Sequence, residues 1–361
     1  SAFLSAKQVE NFSNSLKIMH ENISKILLIY TGGTIGMIKD YESGALKAFN
    51  FDELLQNIPE LKHLEHEIET LSFEVPIDSS NMNPEYYLKI AEIIEEKYED
   101  YDGFVVLHGS DTMAYSASAL SFMLENLNKP IIYTGSQLPI GDLRTDAKEN
   151  LITSIQLAGL KKNGKSVIRE VGLYFEYKLY RANRTSKVNA SHFEAFASPN
   201  YPPLAESGVE LHVSESLLKR VHGRKKFFVH KELDNNIIII KIFPGINEKT
   251  LSYFINLESL KGIVLETYGS GNACNEKWFT DIIKEAIKKG IKIVNVTQCV
   301  GGSVIMGHYE TSTKLKSLGV VSGRDITTEA AVAKLMYLIP KNLAPKVFKT
   351  IFETSLRGEM S

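Results

Sequence analysis

The chain alternates short apolar, β-rich segments with segments whose apolar residues recur at helical spacing. This alternation is typical of β-α-β units, in which a helix connects each strand to the next parallel strand. Helical spacing is found over 84–101, 112–127, 275–290 and 326–339. The strand candidates are 25–30, 103–107, 130–133, 170–175, 236–242, 262–266 and 291–296. The sequence therefore predicts an α/β protein built on parallel sheets.

The length of 361 residues predicts two domains, because a single core rarely grows beyond about 250–300 residues. The boundary is placed at 216–232, where a basic run with one glycine breaks the apolar rhythm and is interpreted as a solvated linker. Residues 25–215 are predicted to form the larger domain, flavodoxin-like or Rossmann-like. Residues 233–361 are predicted to form a smaller α/β domain, and residues 1–24 an N-terminal tail.

Composition favours a small neutral or zwitterionic partner. The formal net charge is −2 and the basic residues are spread along the chain, so no footprint for nucleic acid or a membrane surface stands out. No apolar run reaches the ~20 residues that span a bilayer. The two cysteines, Cys274 and Cys299, form neither a disulfide framework nor a zinc site, and the N-terminus does not resemble a signal peptide. A cytoplasmic protein without metal or cofactor is expected.

Loops rich in hydroxyls and glycine follow three strands of the first domain. They are TGGT (31–34), HGSDT (108–112) and TGSQ (134–137), and a fourth segment, FEVPIDSSNM (73–82), adds Ser79 and Ser80. Parallel strands place such loops at one carboxyl edge, where open α/β folds form a ligand crevice. Glycines allow close backbone approach, and helix N-termini attract anions, so a carboxylate fits. A phosphate is the competing interpretation, although TGGTIG is not G-x-G-x-x-G and no G-K-[ST] follows directly after it.

Hydroxyls beside an acid also suggest nucleophilic catalysis, in which threonine or serine attacks a carbonyl after losing its proton to a base. His108 is one candidate base, although a histidine at a strand end is more typical of a packed structural residue. Lys187 is the other, because a lysine can act as a base where burial or a neighbouring cation lowers its pKa. Taken alone, Lys187 is more typical of a solvated surface. Residue types alone do not decide whether His108 or Lys187 is the base.

Eight segments spread over both predicted domains match the pattern of one enzyme family. They are TGGTIGM (31–37), DSSNM (78–82), the stretch 103–127, YTGSQLP (133–139), LYRANRTSK (179–187), FEAFASPN (193–200), YGSGN (268–272) and LRGEM (356–360). Through them the chain resembles the L-asparaginases, specifically the cytosolic type I branch, from about residue 25 onward. The resemblance implies hydrolysis of L-asparagine to L-aspartate and ammonia through a covalent acyl-enzyme.

The same resemblance implies a site with two hydroxyl positions. Thr34 corresponds to the primary nucleophile and Ser110 to the second hydroxyl, where the family usually has threonine. Asp111 corresponds to the acidic neighbour, and Lys187 to the lysine that helps to deprotonate Ser110. Serine lacks the β-methyl that restricts χ1, so Ser110 is expected to be less pre-positioned, at some cost in activity. Thr31 is interpreted as a turn residue that satisfies backbone groups.

Substrate binding is also assigned by resemblance. Ser79, Ser80 and Asp111 correspond to residues that hold the α-carboxylate and α-amino groups, and backbone amides near the two hydroxyls would form the oxyanion hole. Asn272 corresponds to a residue that reaches the substrate amine from a neighbouring subunit, so a homodimer or homotetramer is expected. The alternative for Asn272 is an ordinary turn residue.

Three positions depart from the family pattern or are uncertain in it. Tyr41 is the nearby candidate for the tyrosine of a mobile loop. Glu266 stands where regulated relatives carry an arginine that binds an activating asparagine, so such activation is not expected. Cys299, which those relatives also use, is interpreted as a small buried residue at a strand end.

Two other functions stay open at the level of sequence. An amidotransferase subunit that supplies ammonia for transfer-RNA-bound glutamate shares the same core motifs but usually carries an additional N-terminal domain. A non-catalytic asparagine-binding regulator would suit the change to Ser110, although the presence of Thr34, Asp111 and Lys187 argues against it. A preference for asparagine over glutamine depends on about one methylene of pocket depth, which the sequence does not specify.

Overall fold

A computed structural model describes residues 23–39, 46–48, 58–220, 225–307 and 309–361. Its strands are β1 (Lys25–Tyr30), β2 (Met37–Lys39), β3 (Leu46–Ala48), β4 (Glu67–Ser72), β5 (Gly103–Leu107), β6 (Leu124–Glu125), β7 (Ile131–Thr134), β8 (Lys161–Lys162), β9 (Lys165–Ser166), β10 (Val171–Phe175), β11 (Lys178–Arg181), β12 (Ser186–Lys187), β13 (Phe196–Ala197), β14 (Ala205–Ser207), β15 (Leu211–Val213), β16 (Phe228–Val229), β17 (Ile237–Lys241), β18 (Gly262–Thr267), β19 (Lys292–Thr297) and β20 (Val321–Ser322). Its helices are α1 (Pro84–Lys97), α2 (Met113–Met123), α3 (Ala147–Gly159), α4 (Glu248–Ile255), α5 (Lys277–Lys288), α6 (Glu310–Leu318), α7 (Thr328–Leu338) and α8 (Pro345–Phe352).

The larger sheet has eight strands in these ranges, in the order β15-β14-β11-β10-β7-β5-β1-β4. The five strands from β10 to β4 are parallel, and Ile29 of β1 lies opposite Val106 of β5 on one side and Leu71 of β4 on the other. The α/β prediction is confirmed. The sequence did not predict β11, β14 and β15, which continue the sheet in antiparallel pairs. These three strands are only three or four residues long, which is too short for a clear alternation of apolar and polar residues.

The central strands are apolar throughout because both faces of the sheet are covered. Leu27 and Ile29 contribute to the core on one face, and Ile26 and Leu28 to the core on the other, all at most 2% exposed. Continuous apolar strands of this kind are typical of parallel sheets between two layers of helices. Because β4, β1, β5 and β7 are parallel neighbours, their carboxyl ends lie side by side at one edge of the sheet.

The second sheet consists of four parallel strands in the order β17-β18-β19-β20. One of its faces packs on α4 and α5 through Leu251, Phe279 and Ile283. Its other face is covered by α7, which also packs against α2 of the first domain. Helix α2 thus has buried residues on all sides, because it lies between the larger sheet and α7. The two sheets share one continuous core.

The last residues return to the first domain, where Asn183 and Arg184 donate to the carbonyl oxygens of Arg357 and Gly358. Lys334 of α7 is fully buried and donates to the carboxylate of Glu359. It also donates to the carbonyl oxygens of Phe352 and Thr354, at 2.7 Å in both cases. Glu359 also accepts from the Arg357 amide at 2.7 Å. The LRGEM segment is thereby fixed around a buried ion pair.

Helix α2 ends earlier than the predicted 127, because β6 follows it directly and pairs with β16. Strand β16 lies inside the segment predicted to be a solvated linker. The first 22 residues and Tyr41 lie outside the described residues, so the predictions of a tail and of a loop tyrosine remain predictions. Within the described ranges, no helix combines the length and the hydropathy that crossing a membrane requires.

Candidate active site

Four loops meet at the carboxyl edge of β4, β1, β5 and β7, and glycines let their backbones touch. A Cβ atom added to Gly32 would lie 2.1 Å from the Ile77 carbonyl oxygen, and one added to Gly33 would lie 2.6 Å from the Gly109 nitrogen. A Cβ atom on Gly109 would lie 2.5 Å from the Ser79 hydroxyl. Both Gly32 and Gly33 also have positive φ angles, of 140° and 90°. The loops predicted to share a site therefore do converge.

Lys187 bonds to both polar residues of the HGSDT loop that were predicted to accompany it. Its Nζ donates to Ser110 Oγ at 2.9 Å and to Asp111 Oδ1 at 2.7 Å. The Lys187 side chain is only 17% exposed, whereas that of Asp111 is 69% exposed. Lys187 is thus not the solvated surface lysine that its residue type alone suggested. The arrangement places an amine against a hydroxyl, with a carboxylate open to solvent beside them.

The strand that carries Lys187 is anchored by the second domain. Arg184, just before β12, is 2% exposed and donates through Nη1 to Asp325 Oδ2 at 2.7 Å. Ser186 donates through Oγ to Glu329 Oε2 at 2.9 Å, and burial raises the pKa of Glu329, which lies in the first turn of α7. The position of the Lys187 amine therefore depends on both domains.

Thr34 begins a single 3-10 turn, Thr34–Gly36, directly after Gly33. Its side chain is partly exposed, and no hydrogen bond joins its hydroxyl to another residue of the described ranges. Thr31, by contrast, is fully buried, and both its amide and its Oγ1 donate to the Leu107 carbonyl oxygen, at 3.0 Å and 2.9 Å. The turn role predicted for Thr31 is confirmed, and Thr34 is the more exposed threonine of this loop.

The DSSNM segment contributes one buried and one exposed serine. Ser79 is 4% exposed, and its carbonyl oxygen accepts from Thr112 Oγ1 at 2.7 Å, which joins this loop to the HGSDT loop. Ser80 is exposed, and its amide donates to Asp78 Oδ1 at 2.9 Å. That bond lowers the pKa of Asp78. Ser80 is thus open to solvent, whereas Ser79 packs against Gly109 of the HGSDT loop.

His108 is a structural residue, as its position at a strand end indicated. It is fully buried, with Nδ1 2.7 Å from the Gly109 carbonyl oxygen and Nε2 2.8 Å from Ser116 Oγ. Since a carbonyl can only accept, Nδ1 carries the proton and Nε2 accepts from Ser116. Burial lowers the pKa of His108 to about 4, so the ring is neutral near pH 7. His108 holds the Gly109 carbonyl, and both of its ring nitrogens are taken up by these two hydrogen bonds.

Gln137 is a polar neighbour of Ser110 to which the sequence assigned no role. Ser110 Oγ donates to Gln137 Oε1 at 3.0 Å. The Gln137 amide nitrogen Nε2 donates to the carbonyl oxygens of Ala190 and His192, at 3.3 Å and 3.0 Å. The Gln137 backbone amide donates to the buried carboxylate of Asp146 at 2.9 Å. The sequence signal that could have identified Gln137 was its position in the TGSQ loop.

Among the described residues, no hydrogen bond joins Asn272 to these loops. Its backbone pairs with Tyr268 in a tight turn after β18, and its buried Oδ1 has no hydrogen-bond partner among the described residues. The backbone of Asn272 thus forms the turn that was the alternative prediction for this residue. The prediction that its side chain completes the site of a neighbouring subunit is not tested by one chain.

Of the two positions considered for a regulatory site, Glu266 and Cys299, the cysteine differs from its prediction. Glu266 Oε1 accepts from Thr328 Oγ1 at 2.6 Å. Cys299 was expected to be buried, and this was wrong, because its side chain is exposed. After β19 the chain turns outward, with the Cys299 amide donating to Thr297 Oγ1 at 3.1 Å. The strand ends before the cysteine, so Cys299 belongs to a surface loop.

Comparison with known proteins agrees with this geometry. A family model described as asparaginase, N-terminal, matches residues 25–219, and one described as glutaminase/asparaginase C-terminal domain matches residues 236–352. The chain belongs to the asparaginase family. The family resemblance found in the sequence is confirmed.

Individual relatives match over nearly the whole chain. The chain is 42% identical to L-asparaginase 1 of Escherichia coli K12, over 93% of this chain and 98% of that protein. It is 37% identical to the mouse 60 kDa lysophospholipase, over 93% of this chain and 62% of that protein. The crystal structure of L-asparaginase I from Vibrio cholerae matches with a TM-score of 0.85 and 40% identity, and the match covers 94% of this chain and 99% of that one.

Proposed function

We propose that the protein is an L-asparagine amidohydrolase that releases L-aspartate and ammonia. The observation that carries the proposal is the contact of the Lys187 amine with both Ser110 and Asp111, residues 76 or 77 positions away in sequence. Near-full-length similarity to L-asparaginase 1 of Escherichia coli supports the same reaction. An amine, a hydroxyl and a carboxylate in contact at a crevice edge suit acyl transfer from an amide.

In the proposed reaction Thr34 Oγ1 attacks the carboxamide carbon of the substrate. Its proton is taken up at the Ser110–Lys187 pair and delivered to the leaving nitrogen, so that the C–N bond breaks and ammonia departs. A β-aspartyl ester remains on Thr34. Water then attacks the ester with the same pair as base, which releases aspartate and restores the threonine. Backbone amides near Thr34 and Ser110 stabilise the oxyanion of each step.

The polar rim of the crevice supports recognition of an amino acid. The exposed carboxylate of Asp111 is suited to the α-ammonium group, and Ser79 and Ser80 supply hydroxyl and amide groups for the α-carboxylate. Asn272 of a neighbouring subunit completes the site in this proposal, so the active form is a homodimer or homotetramer. A cytosolic location is part of the proposal and rests on the two free cysteines, Cys274 and Cys299.

The alternatives are not favoured. A non-catalytic regulator would not need the partly buried Lys187 amine to contact the Ser110 hydroxyl. The amidotransferase subunit is disfavoured because the chain matches 98% of the length of L-asparaginase 1 at 42% identity. No specific contact in the described residues supports either alternative over hydrolysis.

The test is ammonia release from L-asparagine by the intact chain and by Thr34→Ala. The wild type is expected to show saturable release, and Thr34→Ala none, with an unchanged unfolding temperature. Thr31→Val is the matched control from the same loop, because the Thr31 side chain bonds only a backbone carbonyl and its loss should lower stability rather than remove activity. Near-normal turnover by Thr34→Ala would remove it from the mechanism. Calorimetric binding of asparagine without any hydrolysis would instead support the regulator.

A further inference from the structure

The Ser110 hydroxyl lies between one donor and one acceptor. It accepts from the Lys187 amine at 2.9 Å and donates to Gln137 Oε1 at 3.0 Å. Serine has three accessible χ1 rotamers, whereas the β-methyl of threonine restricts χ1. A lone serine at this position would therefore spend time turned away from the amine. The second hydrogen bond limits that freedom.

The orientation of the Gln137 amide is determined by its other contacts. Its Nε2 lies against two carbonyl oxygens, those of Ala190 and His192, which can only accept. The nitrogen must therefore be on that side, and Oε1 on the side of Ser110. The backbone amide of Gln137 is fixed in turn by the Asp146 carboxylate. Gln137 consequently presents an immobilised acceptor to the serine.

We propose that Gln137 is a positioning residue whose amide oxygen fixes the χ1 angle of Ser110, in place of the β-methyl that threonine would provide. The proposal rests on the proposed function for the role of Ser110. Gln137 acts through its hydrogen bond with Ser110. In the resting site a lone pair of Ser110 accepts from Lys187, so the Ser110 hydroxyl proton points to Gln137 Oε1.

A double-mutant cycle separates this role from a general structural one. Gln137→Met keeps the length of the side chain and removes its amide, and it is measured with serine and with threonine at position 110. In the serine background kcat for asparagine is expected to fall about fivefold, the equivalent of one neutral hydrogen bond. In the Ser110→Thr background the fall is expected to be below about twofold, because the methyl group already fixes the rotamer.

The cycle has two outcomes that overturn the proposal. An equal loss in both backgrounds would show that Gln137 acts by holding the carbonyls of Ala190 and His192. No loss in either would show that Lys187 alone fixes the serine. Absence of activity in the wild type would refute the proposed function instead, and the positioning role would then be decided by crystal structures of Gln137→Met. Several Ser110 rotamers would support it, and a single unchanged rotamer would overturn it.

Discussion

Replacement of Gly33 by alanine should separate the two loops that carry the hydroxyls. A Cβ atom at this position meets the Gly109 nitrogen at 2.6 Å, the Gly109 Cα at 2.7 Å and the His108 carbonyl carbon at 2.9 Å. All three are backbone atoms of the HGSDT loop that follows β5, so no side chain can rotate away. The new methyl group must therefore move the Thr34 loop away from the Ser110 loop.

The size of that movement follows from the contact distances. An ordinary contact begins at 3.4 Å, so the loops must part by about 0.8 Å. A displacement of about 1 Å between reacting groups can cost about 100-fold in rate. We therefore expect kcat/KM for asparagine to fall about 100-fold in Gly33→Ala. A further strain of about 1–2 kcal/mol follows from the φ angle of 90° at Gly33.

The assay is ammonia release at several asparagine concentrations, with thermal unfolding measured on the same samples. Gly164→Ala is the matched control, because Gly164 has a φ angle of 70° and nothing within 4 Å of an added Cβ atom. This control carries the backbone strain without the collision, and it should lose stability but keep wild-type turnover. Wild-type turnover in Gly33→Ala would refute the reasoning, as would an equal loss in Gly164→Ala.

Three further changes test other parts of the structure. Lys334→Met leaves the Glu359 carboxylate buried without its partner and should lower the free energy of unfolding by about 3–5 kcal/mol in denaturant titrations, with partial recovery in Lys334→Met/Glu359→Gln. Because the pKa of His108 is about 4 in the folded chain and near 6.5 when unfolded, the unfolded state binds the extra proton between those values. Stability should fall by roughly 3 kcal/mol as the pH drops through that window, and His108→Asn should flatten the decline; an unchanged slope would contradict the assignment. Ser110→Thr should retain or raise turnover, and complete loss would show that the loop is built around serine.

The parallel core was predictable because its physical signal is local. Strand β1 was predicted at its observed bounds, since a run of apolar residues buried on both faces cannot be placed elsewhere. The convergence of TGGT, HGSDT and TGSQ followed from the polarity of parallel strands. The contact of Lys187 with Ser110 did not follow from composition or spacing. It depends on a strand anchored by Asp325 and Glu329 from the second domain, and only the family resemblance pointed to it.

Other features could not be predicted, because they depend on tertiary contacts of single side chains. Gln137 is one polar residue in a polar loop, and its importance lies in which atom faces Ser110. The exposure of Cys299 depends on where β19 ends, and strand ends are among the least certain features of a sequence pattern. The division of the chain at 216–232 remains a prediction, and β16 within it pairs with the first domain.

The shared core of α2 and α7 limits how this protein can be recombined. Leu120 and Ala117 of α2 pack in the same cluster as Ala331 and Leu335 of α7. A chimera that takes its second domain from a relative therefore replaces one wall around the helix that follows the HGSDT loop. The activity of such a chimera would depend first on how well the two surfaces pack together. Differences between the catalytic residues would be seen only after that effect. The two halves share the core around that helix, so neither half is an exchangeable module.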